Sequence, residues 1–414
     1  MSSLQPVRGT HDLLPDEACR HRWVEDTAFA AARRYGFGEI VTPIFEFTEV
    51  FSRTLGETSD VVTKEMYTFA DRSGESITLR PEGTAGVARA FISGGLAQSL
   101  PLKLFYRGPM FRHERPQKGR LRQFHQVGVE LLGVETPLAD VEVIALAWRV
   151  LSDLGLGDKV KLEINTLGDA ESRQAYRNTL TAYLADFRSG LSEDSRNRLE
   201  RNPLRVLDSK DEGDKRIVEN APLMTDSLSP AARDFFAQVT DGLTALGIPY
   251  EINPKLVRGL DYYCHTAFEF TTTALGAQGT VLAGGRYDEL IATMGGPRTP
   301  GIGWAAGVER LSMLAGEAPA PARPVAVIPA GGVTLSDAFK VAETLRVAGL
   351  AVEFGFSGNL KKRMARASKA GAAFAVILGD DEWAKGQASL RDLDAGTQEE
   401  VPLASLVERL LDRG

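Results

Sequence analysis

LFYRGPMFRHERPQKGRLRQFHQVGVELLG, residues 104–133, holds two apolar runs on either side of a loop dense in arginine. Residues 102–106 and 124–132 have the aromatic, β-branched and leucine content of strands, and Pro109, Pro116 and Gly119 break the chain between them. This predicts an antiparallel hairpin with a long loop. Arg107, Arg112, Arg115, Lys118, Arg120 and Arg122 face one acid, Glu114, in a chain whose formal charge is −7. So basic a loop in an acidic protein is suited to phosphate.

The second strand carries more information. Period-2 alternation puts His125, Val127, Val129 and Leu131 on one face and Gln126, Gly128 and Glu130 on the other. The first face reads as core. The second offers an amide and a carboxylate separated by a glycine, and an interior strand glycine often marks close approach of a ligand.

Working outward, 414 residues leave room for two or three domains, and 43% hydrophobic with 25% charged residues is the composition of an ordinary globular protein. Cys19 and Cys264 cannot build a disulfide framework, and no Cys/His spacing offers a zinc site, so no protein-held metal and a reducing compartment are expected. The N-terminal MSSLQPVRGTHDLLPDE lacks an apolar targeting core, and no run is long enough to span a bilayer. A cytoplasmic protein without membrane contact is expected.

Along the chain, residues 16–35 read as an amphipathic helix stopped at Gly36, followed by a short strand 40–42 ending at Pro43. Residues 66–70 and 76–79 form a hairpin around Asp71-Arg72-Ser73-Gly74. That hairpin leads into Arg80-Pro81-Glu82-Gly83-Thr84, where Thr84 is placed to cap a helix and Glu82 sits at a strand-to-helix corner. A helix at 137–154 and a strand at 160–164 follow. Residues 169–248 read as an inserted helical module. GIGWAAGVERL, 301–311, passes from a small-residue strand to a helix but lacks the GxGxxG spacing, and no GxxxxGK[ST] occurs, so neither a dinucleotide fold nor a P-loop is expected. The linker GEAPAPARP, 316–324, precedes alternating strands (325–328, 351–354, 374–378) and helices (335–347, 359–370, 403–411). The middle helix of this small α/β domain carries Lys361, Lys362, Arg363, Arg366 and Lys369 without an intervening acid, which favours an anionic partner.

Taken together, the strand ending at Pro43, the FRHER loop with its returning strand, and GIGWAAGVERL resemble motifs 1, 2 and 3 of class II aminoacyl-tRNA synthetases. RGTHDLLP, TLRPEGTA (78–85), LVRGLDYY (256–263) and GGRYDEL (284–290) are similar to signatures of histidyl-tRNA synthetases. The resemblance spans nearly the whole chain. It implies an α+β fold, a class II antiparallel sheet flanked by helices. Its expected parts are a catalytic core at 1–165 and 249–318, a helical insertion at 166–248 and a C-terminal anticodon-binding domain at 319–414.

For function the resemblance implies ATP-dependent activation of histidine and its transfer to tRNA(His), by a homodimer, with Mg2+ accompanying the ATP phosphates. Arg112 and Arg258 would hold the α-phosphate and the carboxylate, as fixed guanidinium forks suit. Arg120 and Arg310 would meet the outer phosphates and adenine. Glu130 and Tyr263 would bracket the imidazole, Glu82, Thr84 and Gln126 would hold the α-amino group, and Tyr287 would line the same pocket. Gln117, Lys361, Lys362 and Arg366 would contact tRNA. Cys264-His265 departs from the pattern after LVRGLDYY. Two rivals share features: a synthetase-like regulatory subunit of ATP phosphoribosyltransferase, and a nucleic-acid-binding regulator. Arg112, Arg258 and the C-terminal domain argue against the first, and the Glu82, Gln126 and Glu130 set is unexplained by the second.

Overall fold

The computed structural model describes residues 4–55, 61–116, 119–207, 209–257, 262–276 and 279–413. The chain forms two compact units, 1–318 and 319–414, divided within the alanine- and proline-rich stretch. The first begins with a helix, Pro15–Arg34, whose early Asp16 and Glu17 and late Arg33 and Arg34 complement the helix dipole. Next come β1 (Gly38–Glu39), a small sheet of β2 (Phe45–Phe47), β3 (Tyr67–Ala70) and β4 (Ser76–Leu79), then the hairpin of β5 (Leu102–Phe111) and β6 (Gln123–Leu132). The helix Pro137–Asp153 leads to β7 (Lys161–Thr166). Beyond a set of helices lie β8 (Glu251–Ile252), β9 (Cys264–Thr271), β10 (Thr280–Arg286) and β11 (Gly301–Gly307), and β11 runs straight into the helix Val308–Leu314.

Eight of these strands share one sheet in the order β1-β5-β6-β11-β10-β9-β7-β8. It is antiparallel except where β1 joins β5 and β8 joins β7. Helix Pro137–Asp153 covers one face, packing Val143, Ala147 and Val150 with Val127, Val129 and Leu131 of β6 and Trp304 of β11. Trp304 Nε1 donates to the Val143 carbonyl at 3.1 Å, satisfying the indole inside the core. The expected division of β6 into a core face and a polar face therefore holds.

Several expected details differ. The strand near Pro43 is Gly38–Glu39, with one further bond from Ile40 N to the Phe105 carbonyl. Residues 40–42 then leave the sheet, while Phe45–Phe47, to which no element was assigned from sequence, pairs with β4. Strand β5 continues through Pro109, which had been expected to break it. Because β1 is so short, the edge of β5 beyond Phe105 has no strand beside it among the described residues, so the missing proline N–H is no loss there. Arg80 serves that edge: its Nε donates to the Pro109 carbonyl, and its own carbonyl accepts from Phe111 N, both at 2.9 Å.

The helical region has its own core of Tyr176, Leu180, Leu184, Leu199 and Val206. Its last helix, Pro230–Ala245, instead places Val239 and Leu243 in the core of the main sheet, so 166–248 is not a self-standing unit throughout. In the second unit β12 (Val325–Pro329), β13 (Val352–Phe354) and β14 (Phe374–Leu378) are parallel, as the βα alternation predicts. Two further strands, β15 (Gln387–Asp392) and β16 (Gln398–Pro402), extend the sheet antiparallel beyond β14. They escaped the reading because Gln387, Arg391, Glu399 and Glu400 mask a short apolar alternation. The turn between them is held by Asp392 Oδ1, which accepts from the amides of Asp394 and Ala395.

One buried ion pair ties the sheet to its covering helix. Arg286, at the end of β10, and Asp140, in the helix Pro137–Asp153, are both fully buried; Arg286 Nε meets Asp140 Oδ2 at 3.0 Å, and Arg286 Nη1 meets Asp288 at 3.1 Å. Removing one partner strands the other charge in the core. Asp140→Ala should therefore lower unfolding free energy by about 3–5 kcal/mol in urea denaturation, and a second change, Arg286→Met, should recover part of that loss. Additive losses in the double variant would contradict a coupled pair.

Candidate active site

One cavity of about 440 Å3 opens on the polar face of β6. Its lining brings together nine residues singled out from sequence: Glu82, Thr84, Arg112, Arg120, Gln126, Glu130, Tyr263, Tyr287 and Arg310. Arg258 and Gln117 lie outside the described residues.

The acidic end is built around Glu130, which is 1% exposed. Thr84 Oγ1 donates to its Oε1 at 2.7 Å, and the Tyr287 hydroxyl donates to its Oε2. Thr84 thus does not cap its helix as expected. Glu82 does that work from the preceding corner, accepting from Thr84 N at 2.7 Å and Ala85 N at 2.8 Å. Burial pushes the Glu130 carboxyl up to about 8, against the two hydroxyl donors that pull it down, and the nearby Glu82 adds to the rise. Burial likewise raises Glu82 against its amide donors. Tyr287 is raised too, by burial first and then by Glu130, so it stays a hydroxyl and a donor. Two buried carboxyls, with no lysine or arginine among the described residues bonded to either, form a pocket that a cationic ligand would relieve.

Glycines make the room. A Cβ on Gly303 would fall onto the Glu130 carboxylate. Gly128, expected to admit a ligand, instead admits the Tyr106 ring: its Cβ would fall onto the Tyr106 hydroxyl end and lie 2.8 Å from the Trp304 carbonyl oxygen.

The basic end gathers Arg112, Arg120 and Arg310. Arg112 Nε donates to the Pro81 carbonyl at 2.9 Å, and Arg310 donates from Nε to the Gly119 carbonyl at 3.0 Å and from Nη1 to that of Thr280 at 2.6 Å. Burial lowers the Arg310 pKa, and Arg120 and Arg112 lower it further, the mark of three like charges held together. Glu114, which sequence reading treated only as the loop's lone acid, is 8% exposed, with its carboxylate between Arg112 and Arg120. It orients both guanidinium groups, and its position two residues after Arg112 was the only sequence signal of this. Tyr262 also lines the cavity and was missed, although it adjoins Tyr263. Cys264 and His265 stay out of the lining: burial pushes the Cys264 thiol up to about 12, and His265 stacks on Phe235 with ring centroids 4.4 Å apart.

An acidic pocket joined to an arginine cradle on this sheet agrees with the family match. A histidyl-tRNA synthetase model covers residues 9–311, and an anticodon-binding domain model covers 324–413. The chain belongs to the histidyl-tRNA synthetase family. It is 68% identical over 411 residues to a histidine–tRNA ligase of Rhodospirillum rubrum, covering 99% of each chain, and 57% identical to that of Gluconobacter oxydans over the full length of both. An apo histidyl-tRNA synthetase from S. aureus superposes with a TM-score of 0.84 at 34% identity, over 98% of this chain and 99% of that one.

In the second unit of this synthetase-family chain, the helix Leu360–Lys369 is capped by Asn359, which accepts from Lys362 N at 3.0 Å. Lys361, Lys362 and Arg366 are exposed on it, and Arg366 Nη1 donates to the Ser357 carbonyl at 3.1 Å. Arg363 turns inward to the Pro329 carbonyl, so it does not belong to the exposed basic face read from sequence.

The raised Glu130 carboxyl sets a pH dependence. Its folded value lies above the ordinary 4.5, so between about pH 4.5 and about 8 the folded chain holds a proton that the unfolded chain releases, and stability falls as pH rises through that window. Glu130→Gln removes this slope. Relative to the native chain, the variant should gain unfolding free energy across the window, on the order of a few kcal/mol. Parallel stability curves for the two proteins would contradict the assignment.

Proposed function

We propose that the chain is a histidine–tRNA ligase, which activates histidine with ATP and transfers the histidyl group to tRNA(His). The observation that carries this reading is the joining, in one cavity, of the buried Glu82 and Glu130 carboxyls to the Arg112, Arg120 and Arg310 cradle. Histidine brings an ammonium group and a hydrogen-bonding ring to the first end, and ATP brings phosphates to the second. A carboxylate oxygen of histidine attacks the α-phosphorus, the bond to the bridging oxygen breaks, and pyrophosphate leaves with the electron pair. A ribose hydroxyl of the tRNA then attacks the acyl carbon and AMP departs.

In this scheme Arg112 and Arg258 steady the α-phosphate and the carboxylate, while Arg120 and Arg310 hold the outer phosphates and adenine. Mg2+ enters with the ATP phosphates as part of the substrate. Glu82, Thr84 and Gln126 take the α-amino group. Glu130 and Tyr263 read the imidazole, and Tyr287 holds the Glu130 carboxyl in place. Gln117 and the exposed Lys361, Lys362 and Arg366 contact tRNA. The core at 1–165 and 249–318, interrupted by the insertion at 166–248, performs the chemistry, and the domain at 319–414 serves tRNA. A regulatory subunit of ATP phosphoribosyltransferase would have no use for this joined acidic and arginine-lined cavity.

Val41, Ile44, Phe45, Phe47 and Phe69 are exposed on and beside the small sheet. Such a group of apolar side chains fits burial against a second copy, so the active form is a homodimer, which sedimentation of the intact chain would read directly; a monomer with full activity would refute it. No helix in the described residues is long and apolar enough to cross a membrane.

Two variants separate the two ends of the cavity in histidine-dependent exchange of pyrophosphate into ATP. Glu130→Gln should raise KM for histidine about ten- to a hundred-and-fifty-fold, the scale of a lost hydrogen bond to a charged group, and leave KM for ATP nearly unchanged. Arg258→Ala should lower kcat at least about a hundredfold. Equal losses for both substrates in the first, or exchange within fivefold of native in the second, would overturn the roles assigned.

A further inference from the structure

Behind the active-site strand the fold assembles a cluster that no stretch of sequence contains. His21 comes from the helix Pro15–Arg34, His125 from β6 and Glu309 from the helix Val308–Leu314, and one potential donor atom of each lies within 4.8 Å of the others. His125 Nδ1 sits 2.9 Å from Glu309 Oε1, and the His125 amide also donates to the Glu309 carboxylate. The His21 ring stands edge-on to that of His125, with centroids 5.7 Å apart. His21 Nδ1 is itself buried and has no hydrogen-bond partner among the described residues. Buried ring nitrogens are rarely left so, which makes this atom the second and independent indication of a ligand.

The surroundings do not oppose a cation. A cavity of about 400 Å3 reaches both histidines and is lined by Glu25 and Glu39. Its two cationic residues are already committed: Arg22 pairs with Glu25, and Arg107 pairs with Asp26 and Glu39. Two imidazoles and one carboxylate are a donor set for zinc and its first-row neighbours, with an open position left for water. Bonds of about 2.0–2.1 Å to a tetrahedral ion place its ligands about 3.4 Å apart, so a modest turn of the partly buried His21 side chain closes the set.

We infer that His21, His125 and Glu309 form a binding site for one divalent transition-metal ion of the zinc type, completed by water. The ion would join the N-terminal helix to the back of the active-site strand. Glu309 also lines the substrate cavity and directly precedes Arg310, so occupancy bears on the nucleotide end of the site. That consequence rests on the proposed ATP role of Arg310; the binding itself does not.

The test uses the intact chain, freed of metal, titrated with Co2+ and followed by visible absorption. The native protein should take up one equivalent with the ligand-field bands of a low-coordinate site. His21→Ala should weaken uptake at least about tenfold, and His113→Ala, elsewhere on the fold, should not. His21→Cys should restore uptake and add thiolate-to-cobalt charge-transfer absorption in the near ultraviolet, a signature that a merely structural His21 would not produce. Absence of a stoichiometric band in the native chain, undiminished uptake by His21→Ala, or a His21→Cys protein without the thiolate band would each overturn the site. Because the readout is binding, failure here leaves the ligase reading standing, and loss of pyrophosphate exchange alone would leave the metal site standing.

Discussion

A carboxyl group held out of water at the centre of a sheet is the constraint around which this active site is arranged. Glu130 is buried on β6, and its charged form is penalised by that burial. Three neighbours make the burial tolerable: the Thr84 hydroxyl from the helix Thr84–Ser93, the Tyr287 hydroxyl just past β10, and the missing side chain of Gly303 on β11. Tyr287 is in turn placed by Arg286, whose buried pairing with Asp140 anchors the end of β10 to the helix behind the sheet. Stability of the fold and readiness of the pocket thus run through adjacent residues.

Much of this was legible because the relevant signals are local. Period-2 alternation separates Val127, Val129 and Leu131 from Gln126 and Glu130 whatever lies around them, and the strand-to-helix corner at Glu82 is written in five consecutive residues. Charge density alone marked the loop that supplies Arg112 and Arg120. Motif resemblance then joined stretches as distant as Glu82 and Arg310, which periodicity could not have brought together.

What escaped the reading depends on contacts between distant elements. Pro109 is tolerated in β5 because β1 is too short to need its N–H, and only the paired structure shows where β1 stops. Thr84 has a better partner in Glu130 than in its own helix, so a local capping rule failed where a contact between distant elements overrides propensity. Gly128 was read as ligand space and is filled by Tyr106. The His21, His125 and Glu309 cluster is invisible to any spacing rule, since its members come from three separate elements.

The central claim is that this acidic pocket admits histidine through its ring and its amino group together, beside an arginine cradle for ATP. It is tested most directly by measuring amino-acid-dependent exchange of pyrophosphate into ATP across the standard amino acids and a ring-methylated histidine. Exchange above background with histidine alone, and sharply reduced exchange with the methylated ring, is the result the account predicts. Comparable exchange with another amino acid, or full exchange with the methylated ring, would contradict it.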